Sequence, residues 1–142
     1  MRFAGSVHRD GTFRLAVIPT LDVMTQGYAR KEAFEMIADL VETLADKHGF
    51  SVIVQPGKSG TFEVSSSDTR TTVGLLLQRQ REPSGLSLAQ AAKRLGVSSR
   101  NAYARYEQGA SVPTVEKLNG LLHTVAPNKD FVSTESQVNT NV

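Results

Sequence analysis

The chain of 142 residues contains no cysteine and no tryptophan, and six phenylalanines and three tyrosines are its only aromatic side chains. Without cysteine, disulfide bonds, thiolate zinc sites and cysteine nucleophiles are excluded. With no tryptophan and so few other aromatic residues, the hydrophobic cores must be mostly aliphatic. The absence of cysteine is compatible with a reducing compartment, and we expect a cytoplasmic protein.

Long apolar runs are also missing. No stretch approaches the roughly 18 apolar residues that a membrane-spanning helix needs. Residues 1–10 have no apolar segment after their first charge, so we expect no secretory signal. With 39% hydrophobic and 21% charged residues, the composition is that of a globular protein of one ordinary domain or two small ones.

Charge is distributed unevenly along the chain. Residues 1–67 hold seven Lys/Arg and eight Asp/Glu, a net of −1, whereas residues 68–142 hold nine and six, a net of +3. The basic second half favours an anionic partner such as nucleic acid, although an asymmetry of this size is weak support alone.

The first 65 residues predict a small α+β layer. Asp10-Gly11 predicts the type I′ turn of a hairpin, and apolar residues alternate with the period of a strand after it. Helical periodicity predicts a helix from Arg30 to Lys47. Further strands are expected at 23–25, 50–55 and 61–65, and Ser65–Ser67 is a plausible linker.

Beyond the linker, the pattern predicts four helices. Asp68 can cap the first, Ser87 and Gln90 form a capping box for the second, and the third runs from about Ser99 to Gln108. A fourth helix opens at 112–114. The residues after Phe131 are polar, and we expect them to be disordered.

The second and third of these helices have the spacing of a helix-turn-helix. Ala91 and Ala92 are small enough for two helices to cross, Gly96 can turn the chain, and Val97 can fill the space beneath the turn. Short polar residues then begin the next helix, where Arg can read guanine and Asn can read adenine. The predicted DNA-contacting residues are Gln90, Ser98, Ser99, Arg100, Asn101 and Arg105.

The stretch Leu86–Ser98, followed by Tyr106–Gly109 and Pro113, closely resembles the Cro/repressor (XRE) family of DNA-binding domains. One residue more than usual lies between Gly96 and Gly109, at Ser98-Ser99, so the sequence defines the base-contact register only to within one position. The resemblance implies that Tyr103 and Tyr106 lie in the core, and Glu107 is expected to brace a loop. A helix-turn-helix that binds protein instead of DNA is the open alternative.

Catalytic chemistry is not indicated in the first half. The three histidines lack metal-ligand spacing, and no phosphate-binding loop or nucleophile motif is present. Asp10 and Asp22 lack the further acidic residues that a metal nuclease would need. We therefore expect no catalytic residues, no metal and no cofactor.

Acidic residues recur at steps of three and four along the predicted first helix, which places them on one stripe. The stripe is either a solvated face or an attraction surface for a basic partner. Its members are Glu32, Glu35, Asp39, Glu42 and Asp46.

The segment 13–21, together with Thr25–Gly27 and Lys31–Ala33, is similar to the HicB antitoxin family over residues 1–55. Leu21-Asp22-Val23 replaces the Pro-Gly-Cys usual in that loop. The resemblance implies a truncated ribonuclease-H-like fold, with a helix on a small antiparallel sheet, joined to an all-α helix-turn-helix domain. The expected domains are residues 1–66 and 67–131, followed by a disordered tail at 132–142.

The same resemblance implies an antitoxin that neutralises a HicA-type mRNA-cleaving toxin and represses its own operon by binding operator double-stranded DNA as a homodimer or higher homo-oligomer. The toxin-binding residues would be Glu32, Glu35, Asp39 and Glu42, with the sheet face or edge as an equal candidate. The alternative is a stand-alone repressor with a ligand-binding or dimerisation domain. A third possibility is an RNA-processing enzyme on a ribonuclease-like fold.

Overall fold

The computed structural model of the protein describes residues 1–97 and 99–136. Its strands are β1 (Arg2–Asp10), β2 (Phe13–Ile18), β3 (Val23–Gly27), β4 (Ile53–Pro56) and β5 (Thr61–Ser65). Its α-helices are α1 (Arg30–Ala45), α2 (Thr69–Arg81), α3 (Leu88–Leu95), α4 (Arg100–Glu107) and α5 (Val115–Val125).

The five strands form one antiparallel sheet in the order β3-β2-β1-β5-β4. The turn between β1 and β2 was predicted one residue too early. Asp10 pairs with Phe13, so the loop is Gly11-Thr12, and of these two only Gly11 has positive φ, at +60°. A turn with glycine first needs only one residue of positive φ, which is why a type I′ turn is not required.

Helix α1 covers one face of this sheet. Ala33, Ile37 and Val41 are buried on it, against Ala16 and Ile18 of β2. The apolar spacing of three and four residues therefore produces the packing that it predicts. The predicted end at Lys47 is two residues too late, because Asp46 caps the helix in the left-handed conformation.

Strands β3 and β5 lie where the sequence places them, whereas β4 begins at Ile53 and not at Phe50. Phe50 is buried, and the Val52 amide donates to Oε1 of Glu42 at 3.1 Å. The segment before β4 is thus bonded to α1 instead of to a neighbouring strand.

The helices of the second half begin where capping residues predict them. Asp68 accepts a hydrogen bond from the Thr71 amide, and Ser87 and Gln90 form the reciprocal capping box at the start of α3. Thr114 caps α5 by accepting from the Lys117 amide. These side chains satisfy amides that a helix leaves unpaired at its start.

Helix α2 lies in the middle of the molecule, with most of its side chains buried. Its Arg79 donates to the carbonyls of Leu21 (2.8 Å) and Asp22 (3.1 Å), and Gln80 donates to that of Thr20 (2.6 Å). These carbonyls belong to the turn between β2 and β3. One hydrophobic cluster consequently extends from the sheet through α2 to α5.

The α+β sheet layer followed by an all-α half confirms the coarse prediction of fold class. The ribonuclease-H-like assignment and the domain boundary at 66/67 stay predictions. Only Ser66, Ser67 and Asp68 separate β5 from α2. Of the predicted disordered tail, residues 132–136 have no helix or strand, and residues 137–142 lie outside the described residues.

Close approach of α2 and α4 depends on Gly74. A Cβ atom at this position would overlap with the carbonyl oxygen of Glu107, at the end of α4. By contrast, Gly120 in α5 has open space around the same position. An alanine substitution at Gly120 therefore measures the intrinsic preference of a helix for alanine alone, whereas the same substitution at Gly74 adds the cost of steric overlap.

We expect Gly74→Ala to lower the free energy of unfolding by about 1–3 kcal/mol, because the added methyl group overpacks the contact between the helices. Gly120→Ala is the matched control and should raise it by about 0.5–1 kcal/mol. Urea unfolding of both variants measures the difference. Equal stabilisation of the two would contradict the packing described here.

Candidate nucleic-acid interface

Helices α3 and α4 and the chain between them have the geometry of a helix-turn-helix. Gly96, with φ of +83°, ends α3, and the Val97 amide donates to the Ala92 carbonyl at 3.1 Å. Val97 is half-buried against the core, and Ala91 and Ala92 are buried where the helices cross. Each of these roles is the one that the sequence predicts.

Helix α4 begins with exposed polar residues. Ser99 caps it by accepting from the Asn101 amide at 3.2 Å, and Arg100 and Asn101 are the first two residues of the helix. Both side chains are exposed. In helix-turn-helix proteins, the N-terminal residues of this helix enter the major groove of DNA.

The other predicted DNA-contacting residues are Arg105, Gln90 and Ser98. Arg105 is exposed, one turn beyond Asn101 on the same face of α4. Gln90 is exposed on α3, and its Oε1 accepts from the Ser87 amide, which orients the amide nitrogen for donation to a ligand. Ser98 lies outside the described residues.

The rear of α4 is fixed to α2 by a buried ion pair. Arg81 donates from Nε and Nη2 to the two carboxylate oxygens of Glu107, at 2.7 and 3.0 Å, and from Nη1 to the Leu86 carbonyl at 2.7 Å. The Glu107 side chain is only 8% exposed. The hydrogen bonds to Glu107 raise the pKa of Arg81.

Tyr103 completes the anchor of α4. Its side chain is fully buried, and burial, together with the neighbouring Glu107 carboxylate, raises the pKa of its hydroxyl. Tyr106 is half-buried against the same core. The predicted core position of Tyr103 is confirmed, whereas Tyr106 packs at the edge of the same core.

Sequence reasoning identified Glu107 as a brace but missed its partners. Arg81 lies 26 positions away in the chain, and nothing in its local pattern marks it. Gly74 was missed for the same reason. An arginine and a glycine within a predicted apolar helix were the only available signals.

The acidic stripe of α1 is less uniform than the spacing predicts. Glu32, Glu35 and Asp39 are exposed, and none of them forms an ion pair within residues 1–97 and 99–136. Glu42 is half-buried and bonded to the Val52 amide, and Asp46 lies beyond the helix as its cap. Three carboxylates thus remain for a partner.

Residues 1–97 and 99–136 contain neither a metal-binding cluster nor a helix that could span a membrane. No group of three or more His, Cys, Asp or Glu side chains there could hold a metal ion. No helix in the same residues is long and apolar enough to cross a bilayer.

Comparison with known proteins agrees with the geometry of the second half. The profile of a helix-turn-helix domain family matches residues 72–126, from the first turn of α2 to the residue after α5. No curated protein matches the chain. Residues 72–126 form a helix-turn-helix domain, a kind of domain whose usual role is DNA binding in transcription regulation.

Proposed function

We propose that the protein is a sequence-specific DNA-binding regulator of transcription that acts by binding and not by catalysis, with α4 as its recognition helix. The observation that carries the proposal is the pairing of an exposed, polar first turn, Arg100 and Asn101, with a rear face held rigidly by Tyr103 and Glu107. A rigid support matters because base readout requires side chains held at fixed positions.

The chemistry of α4 assigns different tasks to its two ends. Arg100 can donate two hydrogen bonds to guanine, and Asn101 can both donate to and accept from adenine. Arg105, one turn further from the N-terminus, is suited to a phosphate, which gives affinity without sequence information. The basic charge of residues 68–142 supports the same partner.

We expect Arg100→Ala and Asn101→Ala each to weaken binding to the operator by about 5- to 150-fold, because each removes a bidentate base contact of about 1–3 kcal/mol. Binding to unrelated DNA should change much less. Fluorescence anisotropy with operator and scrambled duplexes at one fixed salt concentration measures both affinities.

Arg9→Ala and Asn119→Ala are the matched controls, because both side chains are exposed and lie outside α3 and α4. They should leave the preference for the operator intact. If Arg100→Ala and Asn101→Ala bound operator and scrambled DNA with the wild-type ratio, α4 would not be the reading helix. A wild-type chain that failed to bind its own promoter would overturn the proposal.

We further propose that the operator is that of a toxin–antitoxin operon, and that residues 1–66 neutralise a HicA-type RNA-cleaving toxin. The pattern at 13–33 supports this, as do the exposed carboxylates of Glu32, Glu35 and Asp39. A protein that binds RNA presents cationic side chains, which these carboxylates can attract. Glu42 contributes less, since its carboxylate is bonded within the fold.

Reversing the three exposed charges tests the toxin surface. We expect Glu32→Lys/Glu35→Lys/Asp39→Lys to weaken binding of the small basic protein encoded beside this gene by at least about tenfold, a loss of about 1.4 kcal/mol. The loss should diminish as salt is raised, because salt screens exposed charges. Isothermal titration calorimetry at two salt concentrations provides the measurement.

Glu116→Lys/Glu135→Lys is the control, because it changes net charge at exposed positions away from α1. It should retain wild-type affinity for the toxin. Equal affinity of all three proteins would exclude the α1 surface as the docking site. The absence of a small basic neighbouring gene would favour a stand-alone repressor.

A further inference from the structure

Charge is segregated within the sheet half of the molecule. The β1–β2 turn, the β4–β5 turn, the end of β3 and the start of α1 all lie at one end of the sheet. This end, residues 8–14, 26–32 and 56–61, holds five Lys/Arg and two Asp/Glu, a net of +3, whereas the rest of residues 1–67 holds two and six, a net of −4. We call the five cations together the basic end: Arg9, Arg14, Arg30, Lys31 and Lys58.

Two features of the basic end are unfavourable for the folded chain alone. Arg9 and Arg14 are directly paired across β1 and β2, where like charges destabilise one another. Arg30 and Lys31 occupy the first turn of α1, where the helix dipole disfavours cations. No ion pair within residues 1–97 and 99–136 compensates any of the five. Local rules broken without compensation are typical of functional sites, and repulsion among cations indicates an anionic ligand.

Aromatic rings lie beside these cations. Tyr28, between β3 and α1, is 71% exposed and contacts the Phe13 ring with 5.1 Å between centroids. The Arg30 guanidinium is held over the Phe34 ring, 5.2 Å from its centroid. Unpaired bases stack on exposed aromatic rings and on guanidinium planes. Stacking distinguishes a single-stranded nucleic acid from acidic peptides and lipid headgroups, which have no bases, and from a duplex, whose bases already stack on one another.

The basic end is remote from the helix-turn-helix. Helix α2 bonds to carbonyls at 20–22, at the opposite end of the sheet, and Lys47, just beyond α1, pairs there with Asp68 at 3.6 Å. The 16 residues of α1 separate the two ends by about 24 Å. The basic end is therefore a second charged surface, distinct from the one that α3 and α4 form.

We propose that the basic end binds a single-stranded nucleic acid, RNA or DNA, with phosphates on its cations and an unstacked base on the Tyr28 ring. Four strand spacings of about 4.8 Å give this end a width of about 19 Å, enough for several successive phosphates. Binding of this kind is tolerant of sequence, because every base has a face that can stack. The proposal depends neither on operator recognition by α4 nor on the toxin.

Fluorescence anisotropy of the full chain with labelled single strands tests the proposal. RNA and DNA probes of one mixed sequence, about 20 nucleotides long, exceed the length that a typical single-strand-binding domain covers. At low salt the wild type should bind with a Kd on the order of 10 μM. Arg9→Gln/Arg30→Gln/Lys58→Gln should weaken binding at least about tenfold. It should also reduce the slope of log affinity against log salt by about 2, since each phosphate contact on a single strand contributes about 0.7.

Lys93→Gln/Arg94→Gln/Arg105→Gln is the matched control, because it removes three exposed cations from α3 and α4. It should leave single-strand affinity and its salt slope unchanged while weakening binding to the operator duplex. The basic-end variant should do the reverse. Failure of this inference and failure of the proposed function are thus observed with different probes.

Tyr28 tests the stacking itself. Tyr28→Ala should weaken single-strand binding at least about fivefold, whereas Tyr28→Phe should retain wild-type affinity. Circular dichroism confirms that each variant is folded. A preference for RNA over DNA, or the reverse, identifies which strand the basic end takes.

Four results would overturn the proposal. The first is a wild-type chain that binds neither probe, and the second is loss of binding in the control variant instead of the basic-end variant. The third is full affinity of Tyr28→Ala, which would mark a surface for any polyanion. The fourth is binding to vesicles of phosphatidylglycerol and phosphatidylcholine in preference to both probes, which would identify a lipid surface instead.

Discussion

The buried ion pair between Arg81 and Glu107 holds together the end of α2, the end of α4 and the loop before α3. A charge so enclosed is tolerable only with its partner in place, and removing one member of such a pair costs about 3–5 kcal/mol. On the same helix, two residues before Arg81, Arg79 bonds to the turn between β2 and β3. Within a single turn, α2 is therefore fixed both to α4 and to the sheet, and the placement of each half depends on it.

Much of the fold follows from local signals, for a physical reason. A capping side chain acts within three residues of its own position, so Asp68, Ser87 and Thr114 mark the starts of helices that can be read directly from the sequence. The helix-turn-helix can be recognised over the same short range. The small residues at the helix crossing, the glycine of the turn and the valine beneath it all lie within a few positions of one another. The polar first turn of α4 was predictable from this pattern, and its exposure agrees with the prediction.

The interactions that fix these elements in space were not predictable, because they join distant positions. Arg79 meets Leu21 across 58 positions, and Arg81 meets Glu107 across 26. The acidic stripe shows the same limit on a smaller scale. Spacing alone cannot distinguish Glu42, whose carboxylate bonds the Val52 amide, from Glu35, which faces solvent. The hairpin turn was misplaced by one residue because the sequence Asp10-Gly11-Thr12 fits two loops. One is an Asp-Gly loop, and the other is a two-residue loop that begins with the glycine.

The rigid junction at α2 also constrains how events at the sheet can affect DNA binding. Re-orienting the helix-turn-helix relative to the sheet would require breaking three hydrogen bonds to carbonyls at 20–22, with buried groups left unpaired. A mechanism in which the sheet controls DNA binding by switching the helix-turn-helix between two orientations is therefore costly. A route without that cost is avidity, in which the pairing of two copies would raise the effective concentration of the second α4 at a second half-site. The same rigidity suits the proposed reading role of α4, since a fixed span between two reading helices matches only operators of one spacing.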